Sequence, residues 1–161
     1  MKLYLLTNMY CGGNHPGIQG VHSAVELVVK YTSDDRDFPE LSEQVLDWAT
    51  EHKTVIMLKS GMAHDGLAEL TETLDKLQSD VSINRMKDQL YQQKYPIVPF
   101  AEFKEPGLNN TITSIAVLCT TKMVEDMEQL RRGLLGDDEF METYGEVLGN
   151  ILLRMTFMSL V

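Results

Sequence analysis

At 161 residues the chain has room for one domain with a sizeable core, and its 43% hydrophobic and 24% charged residues are ordinary for a globular protein. The charge is not ordinary: 14 lysines and arginines face 24 aspartates and glutamates, a net −10. A protein that tracks a nucleic-acid backbone needs the opposite sign, so this balance argues against extended tRNA or DNA as a partner.

Two cysteines, Cys11 and Cys119, make no disulfide framework and point to a reducing, cytoplasmic setting. The opening "KLYLLTN" ends too soon for the apolar core of a signal peptide. No run of about eighteen apolar residues occurs, so no membrane span is expected.

In chain order, "KLYLLT" predicts a strand buried on both faces, ended by the polar loop "NMYCGGNHPG". From Gly17 to about Tyr31 the residues Ile18, Val21, Val25, Val28 and Val29 recur at helical spacing. They predict an amphipathic helix with this stripe toward the core and with Gln19, Ser23, Glu26 and Lys30 toward solvent. His22 falls inside the stripe and reads as a core histidine satisfied by a loop rather than as a catalyst. Pro39 marks the start of a second helix with Leu41, Val45 and Trp48 on one face.

"KTVIMLKS" is the next strand, and "GMAHDG" turns into a helix striped by Leu67, Leu70, Leu74 and Leu77. "SDVSINRMKDQLYQQK" reads as a further, mostly exposed helix whose weak apolar side is Ile83, Met86 and Leu90. "YPIVPFAEF" reads as a strand whose prolines suit a sheet edge or a strand start. "TITSIAVLC" is a fourth strand, and everything from about Thr121 is helical in pattern, broken at Gly133 and Gly136. Strands separated by helices predict an α/β layer fold. Residues 1–119 form the compact domain and 120–161 a helical C-terminal extension.

Three stretches carry candidate chemistry. Gly12, Gly13, Pro16 and Gly17 let the backbone turn tightly into the first helix, whose first turn would offer N–H groups and the positive dipole end to an anion. Lys59 follows the second strand, at the carboxyl end where open α/β sheets place ligand-contacting loops, and could supply a cation. In "KEPGLNNTIT", Glu105, Asn109 and Asn110 combine an acceptor with two amides, a mix suited to a base or a ribose hydroxyl. Cys11, His15, His22 and His64 match no zinc-ligand spacing, and Ser23, His64 and Asp65 lack a nucleophile elbow. No metal, cofactor or hydrolytic triad is expected.

The strand, loop and helix entered through "GIQGVHSAVEL" resemble the signature of type-two peptidyl-tRNA hydrolases, in which a glutamine is followed three residues later by a histidine and then small residues. Gln19, His22 and Ala24 stand at those positions. "VPFAEFKEPGLNNTITSIAVL" is similar to that family's third strand, catalytic loop and fourth strand. The resemblance spans roughly residues 1–119 and implies a mixed four-stranded sheet flanked by helices. The family's lysine, four residues ahead of the glutamine, falls on His15, and its loop aspartate on Glu105. Its threonine falls near Asn109, with Thr111 and Thr113 as displaced candidates.

The resemblance thus implies His15, Glu105 and Thr113 as candidate catalytic groups in an altered site. A histidine does not carry the fixed charge of a lysine, and a glutamate shifts the carboxylate by a methylene. The expected function is binding of a small, anionic, nucleotide-like ligand by Gly12, Gly13, His15, Gly17, Gln19, Lys59, Glu105, Asn109 and Asn110. Sequestration of a signalling nucleotide, as by a viral anti-defence protein, is one use of such a site. The rival expectations are an active peptidyl-tRNA hydrolase and a module that docks on a partner through its tail. The tail's Phe140, Tyr144, Val147, Leu148, Ile151, Leu152, Met155 and Met158, together with the family's tendency to dimerise, predict a homo-oligomer.

Overall fold

Extended and helical segments alternate as the hydrophobic periodicity requires, in a computed structural model that describes residues 1–33, 38–88 and 93–161. Strands β1 (Lys2–Thr7), β2 (Val55–Lys59), β3 (Phe100–Glu105), β4 (Thr111–Cys119) and β5 (Ser159–Leu160) form one sheet in the order β3-β4-β1-β2-β5. β1 and β2 run parallel, and the other neighbouring pairs are antiparallel. The sheet therefore has five strands and not the four expected. The extra one is two residues long, too short to leave a periodicity in the sequence, and it covers the β2 edge. β3 takes the opposite edge, with Pro96 and Pro99 just ahead of it where no ladder donor is needed.

Helices α1 (His15–Thr32) and α2 (Pro39–Asp47) pack on the sheet face that carries Leu3, Leu5, Ala116 and Leu118. A π-helical turn, Trp48–His52, extends α2, and Leu41, Val45 and Trp48 are buried as expected. Helices α3 (His64–Lys87), α4 (Thr121–Arg131) and α5 (Asp137–Phe157) pack on the other face, over Leu6, Ile115 and Val117. The separate helix expected from residue 79 does not exist as such. With no glycine or proline to stop it, α3 continues to Lys87, and Leu90 lies outside the described residues.

α1 presents the opposite face from the one its hydrophobicity predicts. Ile18, Val21, Val25 and Val29 are all more than half exposed, whereas Gln19, Gly20, Ser23, Leu27 and Tyr31 are buried. The reason is distance. A Cβ on Gly20 would stand 2.9 Å from Leu5 Cδ1, so the helix lies too close to β1 for a branched side chain at the contact. His22 is likewise exposed, not in the core, and its ring stacks on Phe103 of β3 at 4.4 Å between centroids.

The apolar residues expected to face outward from the C-terminal segment are mostly covered too. Phe140, Tyr144, Leu148, Ile151, Leu152 and Met155 are buried in the same core as β1, β2 and β4, so they do not supply a self-association face. Only Val147 of the expected set is strongly exposed. α5 also breaks at Gly145, which has a φ of 74° and whose Cβ would meet the Tyr95 ring at 2.8 Å.

Cys119 and Tyr4 are among the groups in this larger core that stay protonated far above their usual range. Burial pushes the Cys119 thiol up to about 12, and burial, followed by the charges of Cys119 and Glu128, pushes Tyr4 up to about 12. The unfolded chain releases these protons from about pH 8.5–10. Stability from this source is therefore complete below that range and is lost as pH rises through it toward 12. Thermal melts from pH 7 to 11.5 should show a decline beginning near pH 9, and Cys119→Ala should delay its onset.

The inverted face of α1 makes a sharper test. Leu27→Ala should cost about 2–5 kcal/mol in urea denaturation, whereas Val25→Lys should stay within about 0.5 kcal/mol of the parent. The reverse ranking would mean that the valine stripe faces the core.

Candidate functional site

The first turns of α1, the loop before it and the start of β4 meet at one end of the sheet, at the carboxyl end of β1. Asn8 fastens them together. Its backbone N–H donates to Thr113 O at 2.9 Å and its Nδ2 to Ile112 O at 3.1 Å, while its Oδ1 accepts from Tyr10 N–H at 3.0 Å. The loop is tied a second time by Met9 N–H, which donates to Met62 O at 2.8 Å.

The β3–β4 register shifts here. Phe103 pairs with Ser114 and Lys104 with Ile112, which leaves Thr113 as an extra residue opposite no partner. A bulge of this kind cancels the strict alternation of side chains along a strand. As a result two consecutive residues reach the same helical residue. Thr113 Oγ1 donates to Gln19 Oε1 at 2.7 Å, and Ser114 Oγ donates to the Gln19 carbonyl at 2.5 Å.

Gln19 then donates through Nε2 to Glu105 Oε2 at 3.0 Å. Glu105 ends β3, and its Oε1 accepts from Gly107 N–H at 3.3 Å where a 3-10 turn, Pro106–Leu108, begins. The chain Thr113–Gln19–Glu105 is directional. It fixes the amide with its oxygen toward the threonine and its nitrogen toward the carboxylate. The Glu105 oxygens keep lone pairs for a further donor, such as a hydroxyl or an amine. The Thr113 proton goes to an amide oxygen and not to a base, so this geometry does not activate the threonine as a nucleophile.

The other expected residues fall around this chain in different ways. His15 is the first residue of α1, exposed and one turn ahead of Gln19. Its N–H already donates to Gly12 O at 3.1 Å, and Pro16 has none. Among the first three helical residues this leaves Gly17 as the only source of an N–H for an incoming anion. Of Gly12, Gly13 and Gly17, only Gly13 needs its lack of a side chain for its backbone angle, with φ at 60°. At Gly12 and Gly17 a Cβ would meet nothing within 4 Å.

Asn109 and Asn110 both hold left-handed backbone, with φ of 54° and 58°, which gives their identity a turn-forming reason. Thr111 turns away, its hydroxyl donating to Leu108 O at 2.6 Å. Lys59 ends β2, paired in register with Thr7, which in turn pairs with Ser114. It is exposed and in no ion pair among the described residues.

His64, set aside in the sequence as neither ligand nor triad member, proves to hold the site from below. Its Nδ1 accepts from Ile112 N–H at 3.0 Å, so that nitrogen carries no proton. Among the described residues no group of three or more His, Cys, Asp or Glu is placed to hold a metal ion. None of the site's residues lines the cavities of about 530, 580 and 310 Å³ found elsewhere on the chain, and Gln19 and Thr113 are themselves buried. No family model matches the chain, and no curated protein matches it.

The buried hydroxyl of Thr113 depends on Gln19 for its hydrogen bond. Gln19→Leu should destabilise the fold by about 1–3 kcal/mol, the cost of leaving a buried polar group unsatisfied. Thr113→Val in the Gln19→Leu background should cost less than it does alone. A double-mutant cycle by chemical denaturation measures that coupling, expected at about 0.5–3 kcal/mol.

Proposed function

We propose that this chain binds a small, anionic, nucleotide-like ligand at the junction of the 8–14 loop, the start of α1 and the β3–β4 turn. We further propose that its domain is a divergent relative of the type-two peptidyl-tRNA hydrolases without their turnover. The observation that carries the reading is the Thr113–Gln19–Glu105 chain. Its buried amide holds the Glu105 carboxylate in place as an acceptor beside a helix start, where a sugar hydroxyl or base amine and an anionic group can be met together. Lys59, exposed at the end of β2, is the cation at this end of the sheet that can meet a phosphate, and the exposed His15 ring offers it a hydrogen-bonding group. Of the residues at which the family resemblance would place a threonine, Thr113 is the one whose hydroxyl meets Gln19.

The fixed cation of a hydrolase is absent from position 15, and the net charge of −10 disfavours a polyanion the size of tRNA. A small ligand escapes that penalty because it meets only local charge. Occupancy also requires no catalytic base next to Thr113, and none is provided.

A thermal-shift series with mono-, di- and cyclic nucleotides tests the proposal. A ligand at a hundred times its dissociation constant should stabilise the protein by roughly 2.7 kcal/mol, several degrees in melting temperature. Gly17→Asp should abolish that shift while preserving stability, because its side chain enters open space and an acid suits a helix start. No shift with any nucleotide, or an undiminished shift in Gly17→Asp, would overturn the proposal. Cleavage of a peptidyl-tRNA model substrate that Glu105→Gln abolishes would replace it with the hydrolase reading.

A further inference from the structure

On the face of the sheet opposite α1, a cavity of about 530 Å³ opens between β1, β2, α4 and the end of α5. Ile56, Leu58, Met127, Met155 and Met158 give it an apolar lining. Lys2, Arg131 and Arg132 also line it, against the single acid Glu128. That local excess of positive charge opposes the sign of the whole chain. Arg132 is paired with Glu128, which leaves Lys2 and Arg131 in no ion pair among the described residues.

A second observation is independent of the charges. Tyr4 lines the same cavity and is only 9% exposed, yet its hydroxyl makes no hydrogen bond among the described residues. The hydroxyl keeps solvent access and stands free to donate to a ligand in the cavity.

We propose that this cavity binds an amphiphilic organic anion, a carboxylate or phosphate head on a flexible apolar chain. Lys2 and Arg131 receive the head, Tyr4 donates its hydroxyl to it, and the three methionines surround the chain. Methionine side chains are unbranched and polarisable, and they adapt to a flexible occupant better than branched residues do. The cavity falls within the range of small-molecule sites, about 300–1,000 Å³. Because Tyr4 keeps its proton to about pH 12, it acts as a donor and adds no negative charge beside the anion.

The test uses the full chain labelled at its methionine methyl groups and observed by NMR. Decanoate and decyl phosphate are titrated below their aggregation concentrations, with decanol as the neutral control. Saturable shifts at Met127, Met155 and Met158 are expected with at least one of the anions, and the tighter of the two identifies the head group. Decanol should bind at least tenfold more weakly. The Lys2→Gln/Arg131→Gln double variant should weaken anion binding at least tenfold and leave decanol unchanged, with its other methionine signals reporting an intact fold. Tyr4→Phe, which keeps the ring, should weaken anion binding severalfold. The absence of saturable shifts overturns the proposal. So does equal affinity for decanol and the anions, or unchanged anion binding in the double variant, since either reduces the cavity to simple apolar partition.

Discussion

The height of α1 above the sheet is set by the contact between Gly20 and Leu5, and the candidate site depends on that height. A glycine and a fully buried serine, Ser23, let the helix settle onto β1 and β4 where a larger side chain would hold it off. Only then does the Gln19 carbonyl come within reach of Ser114 and its amide within reach of both Thr113 and Glu105. Helix-to-sheet packing is usually pictured as interdigitated aliphatic side chains. Here, near the site, it is a close backbone approach secured by short polar groups, and packing by large side chains resumes further along at Leu27 and Tyr31.

The far end of α1 is fastened in the same manner. Gln78 of α3 donates to Val98 O at 2.7 Å and to the Tyr31 hydroxyl at 2.9 Å, and the same hydroxyl accepts from Phe100 N–H at 3.3 Å. Burial holds the Tyr31 phenol above its usual range, so it stays neutral in this position. The helix is thus pinned at both ends by buried polar contacts to the β3–β4 side of the sheet, and the bulge at Thr113 turns one of those contacts into the centre of the site.

The alternation of strand and helix was legible because apolar runs such as "KLYLLT" and the leucine stripe of α3 carry a clear period. The buried face of α1 was not. A hydrophobic wheel rewards Ile18, Val21, Val25 and Val29 and gives no credit to Gly20 and Ser23, although small residues at helical spacing are themselves a sign of close packing. The destination of the tail was illegible for a related reason. Its apolar residues are plain in the sequence, but the sheet face they cover belongs to strands far away in the chain. Gln19, Glu105 and Thr113 could each be singled out by motif. Nothing in composition announces the bulge that joins them, since an unpaired strand residue looks like any other. The left-handed pair Asn109 and Asn110 did carry a readable signal, that of a turn, beside the one for ligand contact.

The exposed valine stripe gives the acidity of the chain a colloidal meaning. Four branched side chains in a row along one helix are an adhesive strip that the fold does not cover. At neutral pH the net −10 keeps copies of the molecule apart at distances up to a Debye length, about 8 Å in physiological salt. The isoelectric point lies near 4.8, and there the repulsion vanishes while the strip stays as sticky as before. Acidification or high salt therefore removes the guard while the strip remains, and clustering under those conditions would begin along α1.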